Sequence, residues 1–296
     1  ADPDALARRR AFDTPAFWAS VTSALQAARV AGLTVDLTLG TGWPTGGAHV
    51  AAADSMQTLL YSEDAVAGPA TLDLALDGPD PTPFYTLAEF AAQIGEPLAR
   101  DLTAQARLVA VVAGRVTGGA RDTADLFNLT DVVTLDAASM VDLTDRVRDG
   151  RLRWDAPGGD WRVVGLWAAP DGQLISLAAA EGEGFVVDHL SETRVAANLA
   201  HLFRDETGLG PFLGTTVRGL FVDSFEMETE RHFTDDLLAE FAKRRGYDVV
   251  PYLPFVMSPG ADNHLFDGAG IRTEAPFASD PERDARVRHD YALTVS

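Results

Sequence analysis

The 296-residue sequence contains no cysteine. That excludes disulfides, thiolate metal sites and a cysteine nucleophile, and it leaves the redox compartment open. Basic residues are scarce as well: 24 Lys and Arg stand against 44 Asp and Glu, for a formal net charge of −20. A surface of that sign repels nucleic acid phosphates and anionic membranes, so neither is an expected partner. A neutral ligand or a divalent cation suits it better, although much of the excess acid can serve solubility alone. Long apolar runs are missing too. The strongest, Leu108 to Ala113, is far short of the roughly 20 residues of a membrane helix. The chain opens on Ala1-Asp2-Pro3, without an initiating methionine or an apolar leader, and stops at Ser296 within a helical pattern. Both ends therefore read as cut.

What is present is an ordinary globular composition, 46% hydrophobic and 23% charged, with length for one large domain or two. Thr14 and Pro15 open a helix whose apolar stripe is Phe17, Trp18, Val21, Leu25 and Ala28, with Gly32 at its exit. An alternating strand, Leu33 to Leu39, follows at once and runs into Gly40-Thr41-Gly42-Trp43-Pro44-Thr45-Gly46-Gly47. From about residue 55 the texture turns to short β-type runs. The best hairpin candidate is Leu152–Trp154 and Trp161–Trp167 around Gly158-Gly159, and one helix is expected near Leu87 to Ile94.

Helix–strand alternation then returns. Phe185–Val187 leads to a helix capped by Ser191, and Val217 to Val222 is a strongly apolar strand. A further helix has Thr234 as its cap, Asp235 and Asp236 at its start, Lys243, Arg244 and Arg245 at its end, and Gly246 beyond. Val249–Leu253 reads as another strand, residues 258–281 as a long loop, and Val287, Tyr291 and Val295 as the stripe of a closing helix. The pattern predicts an α/β protein of (β/α)-barrel type, incomplete in this chain, with an inserted antiparallel β region. Its parts would be residues 1–54 and 181–296 for the barrel and 55–180 for the insertion. A doubly wound sheet would give a similar string.

The chemistry-bearing residues gather where strands end. Phe221-Val222-Asp223-Ser224-Phe225-Glu226-Met227-Glu228 delivers three carboxylates just past a buried strand. Such groups suit glycoside hydrolysis, which needs one carboxylic acid for the leaving oxygen and a second carboxylate on the other face. They equally suit helix caps, solvated loop positions or a hard-oxygen metal site. Asp188 and His189 also follow a strand, and His189 is either a sugar-hydroxyl partner or a structural hydrogen-bonder. Trp43 is either a stacking platform for a sugar or a core residue under a turn. The six histidines show no zinc spacing, the glycine-rich loop lacks the lysine of a phosphate loop, and no serine-hydrolase elbow is present.

Several of these segments stand in an order that resembles glycoside hydrolase family 106. They are Gly40–Gly47, Val187-Asp188-His189-Leu190-Ser191, Phe221–Glu226, Glu240-Phe241 with Arg244–Asp248, Pro251-Tyr252-Leu253-Pro254, and Arg288-His289-Asp290-Tyr291. The resemblance implies α-L-rhamnosidase activity on a rhamnosylated glycan, a (β/α)8 catalytic domain, inversion at the anomeric carbon and a calcium ion near the site. It maps a catalytic carboxylate, taken as the general acid, onto Glu226 and a supporting residue onto Asp223, with Trp43, Asp188 and His189 as substrate contacts. It also implies a longer chain, with the partner carboxylate beyond residue 296 and the present chain inactive alone. The rival readings are a glycosidase of another deoxysugar specificity and a non-catalytic carbohydrate-binding fragment. Secretion or periplasmic export would fit polysaccharide degradation.

Overall fold

Thr14 accepts a hydrogen bond from the Phe17 amide at 3.2 Å, and Pro15 occupies the first turn, so α1 (Pro15–Val30) starts where the sequence places its cap. This computed structural model describes residues 11–79, 102–119, 132–222, 225–227, 229, 231–257 and 276–296. In chain order α1 is followed by β1 (Val35–Thr38), β2 (Gly46–Gly47), β3 (Gln57–Ala75), β4 (Arg107–Gly118), β5 (Val133–Leu135), β6 (Val141–Asp142) and β7 (Val147–Arg148). Then come β8 (Arg151–Pro170), β9 (Phe185–Val186), α2 (Glu192–Leu202), β10 (Val217–Phe221), β11 (His232–Phe233), α3 (Leu237–Arg245), β12 (Phe277–Ala278) and α4 (Pro281–Val295). The chain divides into two units, one of residues 1–56 and 172–227, the other of 57–171 and 228–296.

In the first unit β1 and β10 form a two-stranded parallel sheet, with Leu37 opposite Leu220 and Thr38 opposite Phe221. Trp18 and Leu25 of α1 pack with Leu209, Phe212 and Val217 into its core. A second, antiparallel pair joins β2 to β9.

The second unit is an eight-stranded mixed sheet in the order β11-β3-β8-β4-β5-β12, with β6 on β4 and β7 on β8. Every pairing in it is antiparallel except β12 with β5. Its larger core sets Leu59, Val112, Val164 and Leu166 of the sheet against Phe241, Phe255, Val287 and Tyr291 of the helical segments.

The (β/α)-barrel expected from the sequence is therefore not what the described residues form: the sheets are open, and among the named strands parallel pairing is limited to β1 with β10 and β12 with β5. Two local reasons stand out. Phe185–Val186 pairs antiparallel with the glycines of β2 instead of entering a parallel sheet. Val249–Leu253, expected as a strand, lies in a 3-10 segment, Val250–Val256, because Pro251 and Pro254 have no amide hydrogen to give a ladder. The expected helix at 87–94 and most of the expected loop at 258–281 fall outside the described residues.

The expected hairpin at Gly158-Gly159 is also corrected. β8 runs straight through as one 20-residue strand, paired along nearly its whole length with β3. Gly159 lies opposite Gly68 and Ala156 opposite Ala70, so two residues of β8 face one of β3. That is a β-bulge, and it changes the parity of β8. Leu152, Trp154 and Ala156 enter one core before it, and Trp161 and Val163 enter the same core after it. On β3, Val66, Leu72 and Leu74 keep one parity throughout. Gly159 has φ +114, a backbone conformation that only glycine adopts without strain.

One buried group in this unit makes stability depend on pH. His232 stands opposite Thr58 in the β11–β3 pair, with a buried Nδ1 that has no hydrogen-bond partner among the described residues. Burial pushes its pKa down to about 4. A histidine with a depressed folded-state pKa is neutral in the fold and takes up a proton more readily when unfolded. Stability is then full above the ordinary value of about 6.5 and falls as pH drops from there to about 4. The expected loss is about 3 kcal/mol. Urea unfolding between pH 7 and 4 should show that loss for the wild type and a smaller one for His232→Phe.

Candidate active site

The glycine-rich loop is built by its own backbone contacts. Trp43 exchanges two backbone hydrogen bonds with Ser176, at 3.2 and 2.7 Å, and β2 lies against β9. A methyl group on Gly42 would run into the Ser176 carbonyl, and one on Gly46 into the Phe185 carbonyl. These glycines are thus required for strand-on-strand approach within the chain. The loop in turn fixes the backbone of Trp43.

From there the Trp43 indole Nε1 donates to Glu226 Oε2 at 3.1 Å. The backbone of Glu226 is held from another side: the Gln173 side-chain amide donates to its carbonyl oxygen at 2.5 Å. Gln173 is 2% exposed. Beneath this point Met227 packs on Met56, Ile175 and Val186. The carboxylate itself lies on an exposed residue, between Phe225, which is 60% exposed, and the anchored Met227.

Phe225 links the second predicted element. Its ring stands edge-on to His189, with centroids 5.4 Å apart and planes at 89°. His189 Nδ1 lies 2.7 Å from the Val187 carbonyl oxygen, which can only accept, so Nδ1 carries the hydrogen. Nε2 is then an unprotonated acceptor, buried and without a hydrogen-bond partner among the described residues. Burial holds the pKa of His189 below its ordinary value, despite the opposing pull of the Val187 carbonyl and Asp188. The ring is neutral near pH 7, with a fixed tautomer and one unused lone pair.

Asp188 serves differently. Fully buried, it accepts from the Leu190 amide at 3.0 Å and from Arg194 Nη1 at 2.7 Å. It ties the start of α2 to the β9 exit, beside the Ser191 cap that accepts from the Arg194 amide. Its neighbour Arg194 also approaches Asp54 at 3.7 Å. Trp43, Glu226 and His189 are thus brought into one neighbourhood through Phe225, while Asp188 braces the backbone behind it. Asp223 and Glu228 lie outside the described residues.

Residues 120–259 match the family model described as alpha-L-rhamnosidase, glycoside hydrolase family 106. That match takes in just under half of the chain. The chain is 29% identical over 240 residues to a protein of Formosa agariphila described as a putative beta-glucuronidase, an alignment covering 78% of this chain and 20% of that protein. It also resembles the solved structure of a rhamnosidase from Novosphingobium sp. PP1Y, with a TM-score of 0.60 and 18% identity. That likeness covers 96% of this chain and 38% of the other. The chain thus spans about a fifth of the length of the curated relative it matches.

Gln173 and Phe225 are the site residues that the sequence did not single out for a role. Gln173 sits in the Asp171-Gly172-Gln173 segment after β8 with no motif around it, and its contact with the Glu226 backbone carbonyl reveals it. The calcium ion implied by the resemblance finds no donor set here: among the described residues no group of three or more His, Asp or Glu side chains could hold a metal ion.

Proposed function

We propose that this chain belongs to glycoside hydrolase family 106 and supplies part of the active site of an α-L-rhamnosidase, cleaving terminal rhamnosides with inversion at the anomeric carbon. Glu226 is the general acid. The observation that carries this reading is the Trp43 indole hydrogen bond to Glu226 Oε2, which sets an exposed carboxyl group at a fixed orientation beside an aromatic ring. With Oε2 engaged, the other carboxyl oxygen delivers the proton to the glycosidic oxygen as the bond to the anomeric carbon breaks. A water attacks that carbon from the opposite face and loses its proton to a second carboxylate. In an inverting enzyme the two carboxyl groups stand about 6.5–9.5 Å apart to admit that water. The second one is not assigned within this chain. Asp223 is a supporting residue in this reading, on the family resemblance alone. The neutral His189 can accept a hydrogen bond from a sugar hydroxyl once its Nε2 is exposed to substrate.

A second reading is favoured by the description of the Formosa agariphila relative: the same machinery acting on a β-glucuronide. The two separate on a substrate panel. Full-length protein is expected to turn over an aryl α-L-rhamnoside with kcat/KM at least about 100-fold above that for an aryl β-D-glucuronide. A difference of that size corresponds to about 2.7 kcal/mol of transition-state discrimination. Preference for the glucuronide would replace the first reading with the second, and turnover of neither would leave a carbohydrate-binding module.

A further inference from the structure

The second unit contains a cleft that the chemistry around Glu226 does not use. α4 begins at Pro281 and carries Arg283 and Arg286, both exposed and three residues apart, hence neighbours on one helical face. Across from them are Tyr247, just after α3, and Tyr252 in the 3-10 segment. With Asp248 and Val287 these residues line a cleft of about 460 Å³, within the size range of small-ligand sites.

The arginines set it apart. In this acidic chain the described arginines are widely spent on carboxylates, as in Arg107 with Asp235, Arg115 with Asp136, Arg151 with Asp73 and Arg204 with Asp13. Neither Arg283 nor Arg286 has a carboxylate within ion-pair distance among the described residues. Their guanidinium groups therefore border the cleft with uncommitted donors.

The tyrosines supply the complement. Their rings stand 6.3 Å apart at 69°, and the Tyr247 hydroxyl donates to Asp290 at 3.0 Å. Burial and that hydrogen bond push the Tyr247 pKa up to about 12, against the opposing charge of nearby Arg286. Tyr247 is consequently a neutral aromatic surface with its polar end already satisfied. Asp248 refines the choice of ligand. One of its oxygens accepts from the Val250 amide at 2.9 Å, and its charge disfavours a bare inorganic anion. A ligand that presents hydroxyl donors next to its own negative group satisfies both Asp248 and the arginines.

We propose that this cleft is a second carbohydrate site, one that holds an acidic sugar ring with its carboxylate on Arg283 and Arg286 and its apolar face against the tyrosines. Planar guanidinium groups pair with carboxylates through two parallel hydrogen bonds, and aromatic faces pack on the carbon-bound hydrogens of a sugar. The site would grip a uronate-bearing glycan with residues that take no part in the chemistry around Glu226, so it does not depend on the rhamnosidase reading.

The test is calorimetric titration of the full chain with trigalacturonic acid and with its carboxyl-reduced, neutral counterpart. The acid form should bind at least about tenfold more tightly, a difference of about 1.4 kcal/mol. The preference should shrink as salt rises and vanish in Arg283→Gln/Arg286→Gln, whose positions are exposed. Tyr252→Leu should weaken both sugars alike and keep the preference for the acid. Equal binding of the two trimers, a preference that survives the double variant, or inorganic sulfate competing as well as the acid trimer would each overturn the proposal.

Discussion

Glu226→Gln is expected to lower turnover of an aryl α-L-rhamnoside with a poor leaving group by about 10³-fold, in line with the 10²–10⁴-fold contribution of a positioned general acid. Glutamine keeps an oxygen for the Trp43 indole, so the local geometry described at 3.1 Å is retained while the transferable proton is lost. The loss should be uneven across substrates. A dinitrophenyl leaving group departs without help from a proton, so the variant should retain most of its activity on it. A poor leaving group needs the acid and should show the full effect. Measured kcat/KM for the two leaving groups in the wild type and the variant decides the role. An equal fall for both would make Glu226 a charge-stabilising or structural group, and no fall would remove it from catalysis.

Asp188→Ala should act on stability, with an expected loss of about 3 kcal/mol. The substitution leaves Arg194, only 16% exposed, without its close partner and deprives the Leu190 amide of its acceptor. The nearby Asp54 at 3.7 Å and the partial exposure of Arg194 keep the figure at the low end for a broken buried pair. Asp188→Asn retains an acceptor for Leu190 and should cost roughly half as much. Chemical denaturation of the three proteins checks the order. A substrate contact would instead leave the unfolding midpoint unchanged and raise KM, which is how the sequence-based role of Asp188 would reassert itself.

Much of the local structure was legible in the residues. Thr14-Pro15 at the start of α1, Ser191 before α2 and Gly246 after α3 are local devices, because capping depends on a few neighbouring residues. The barrel expectation failed, because alternation of helices and strands says nothing about which strand edges meet. Phe185–Val186 looks the same in sequence whether it joins a parallel sheet or pairs with two glycines. The same limit governed Gly158-Gly159, where one glycine pair serves equally a reversal and a bulge, and only the length of β3 opposite decides. At the site, Glu226 and Trp43 lie 183 positions apart, yet the family resemblance names both. Gln173 escaped because its contact runs to a backbone atom, and any residue at position 226 would offer the same carbonyl.

The bulge in β8 works as a phase change in the sequence pattern. On one side of Gly158-Gly159 the even-numbered positions enter the tryptophan-lined core, and on the other side the odd-numbered ones do. The two halves of the strand are thus written in opposite frames, with a single extra residue as the shift between them. Loss of one glycine would remove the extra residue, put both halves in one frame and leave Trp161 and Val163 facing the core in regular pairing with β3, whereas loss of two would turn them outward. The tolerable length change at this point is therefore a single residue, the difference between a bulged and a regular strand, and an alignment of related chains across it must place such a gap here before any identity is counted.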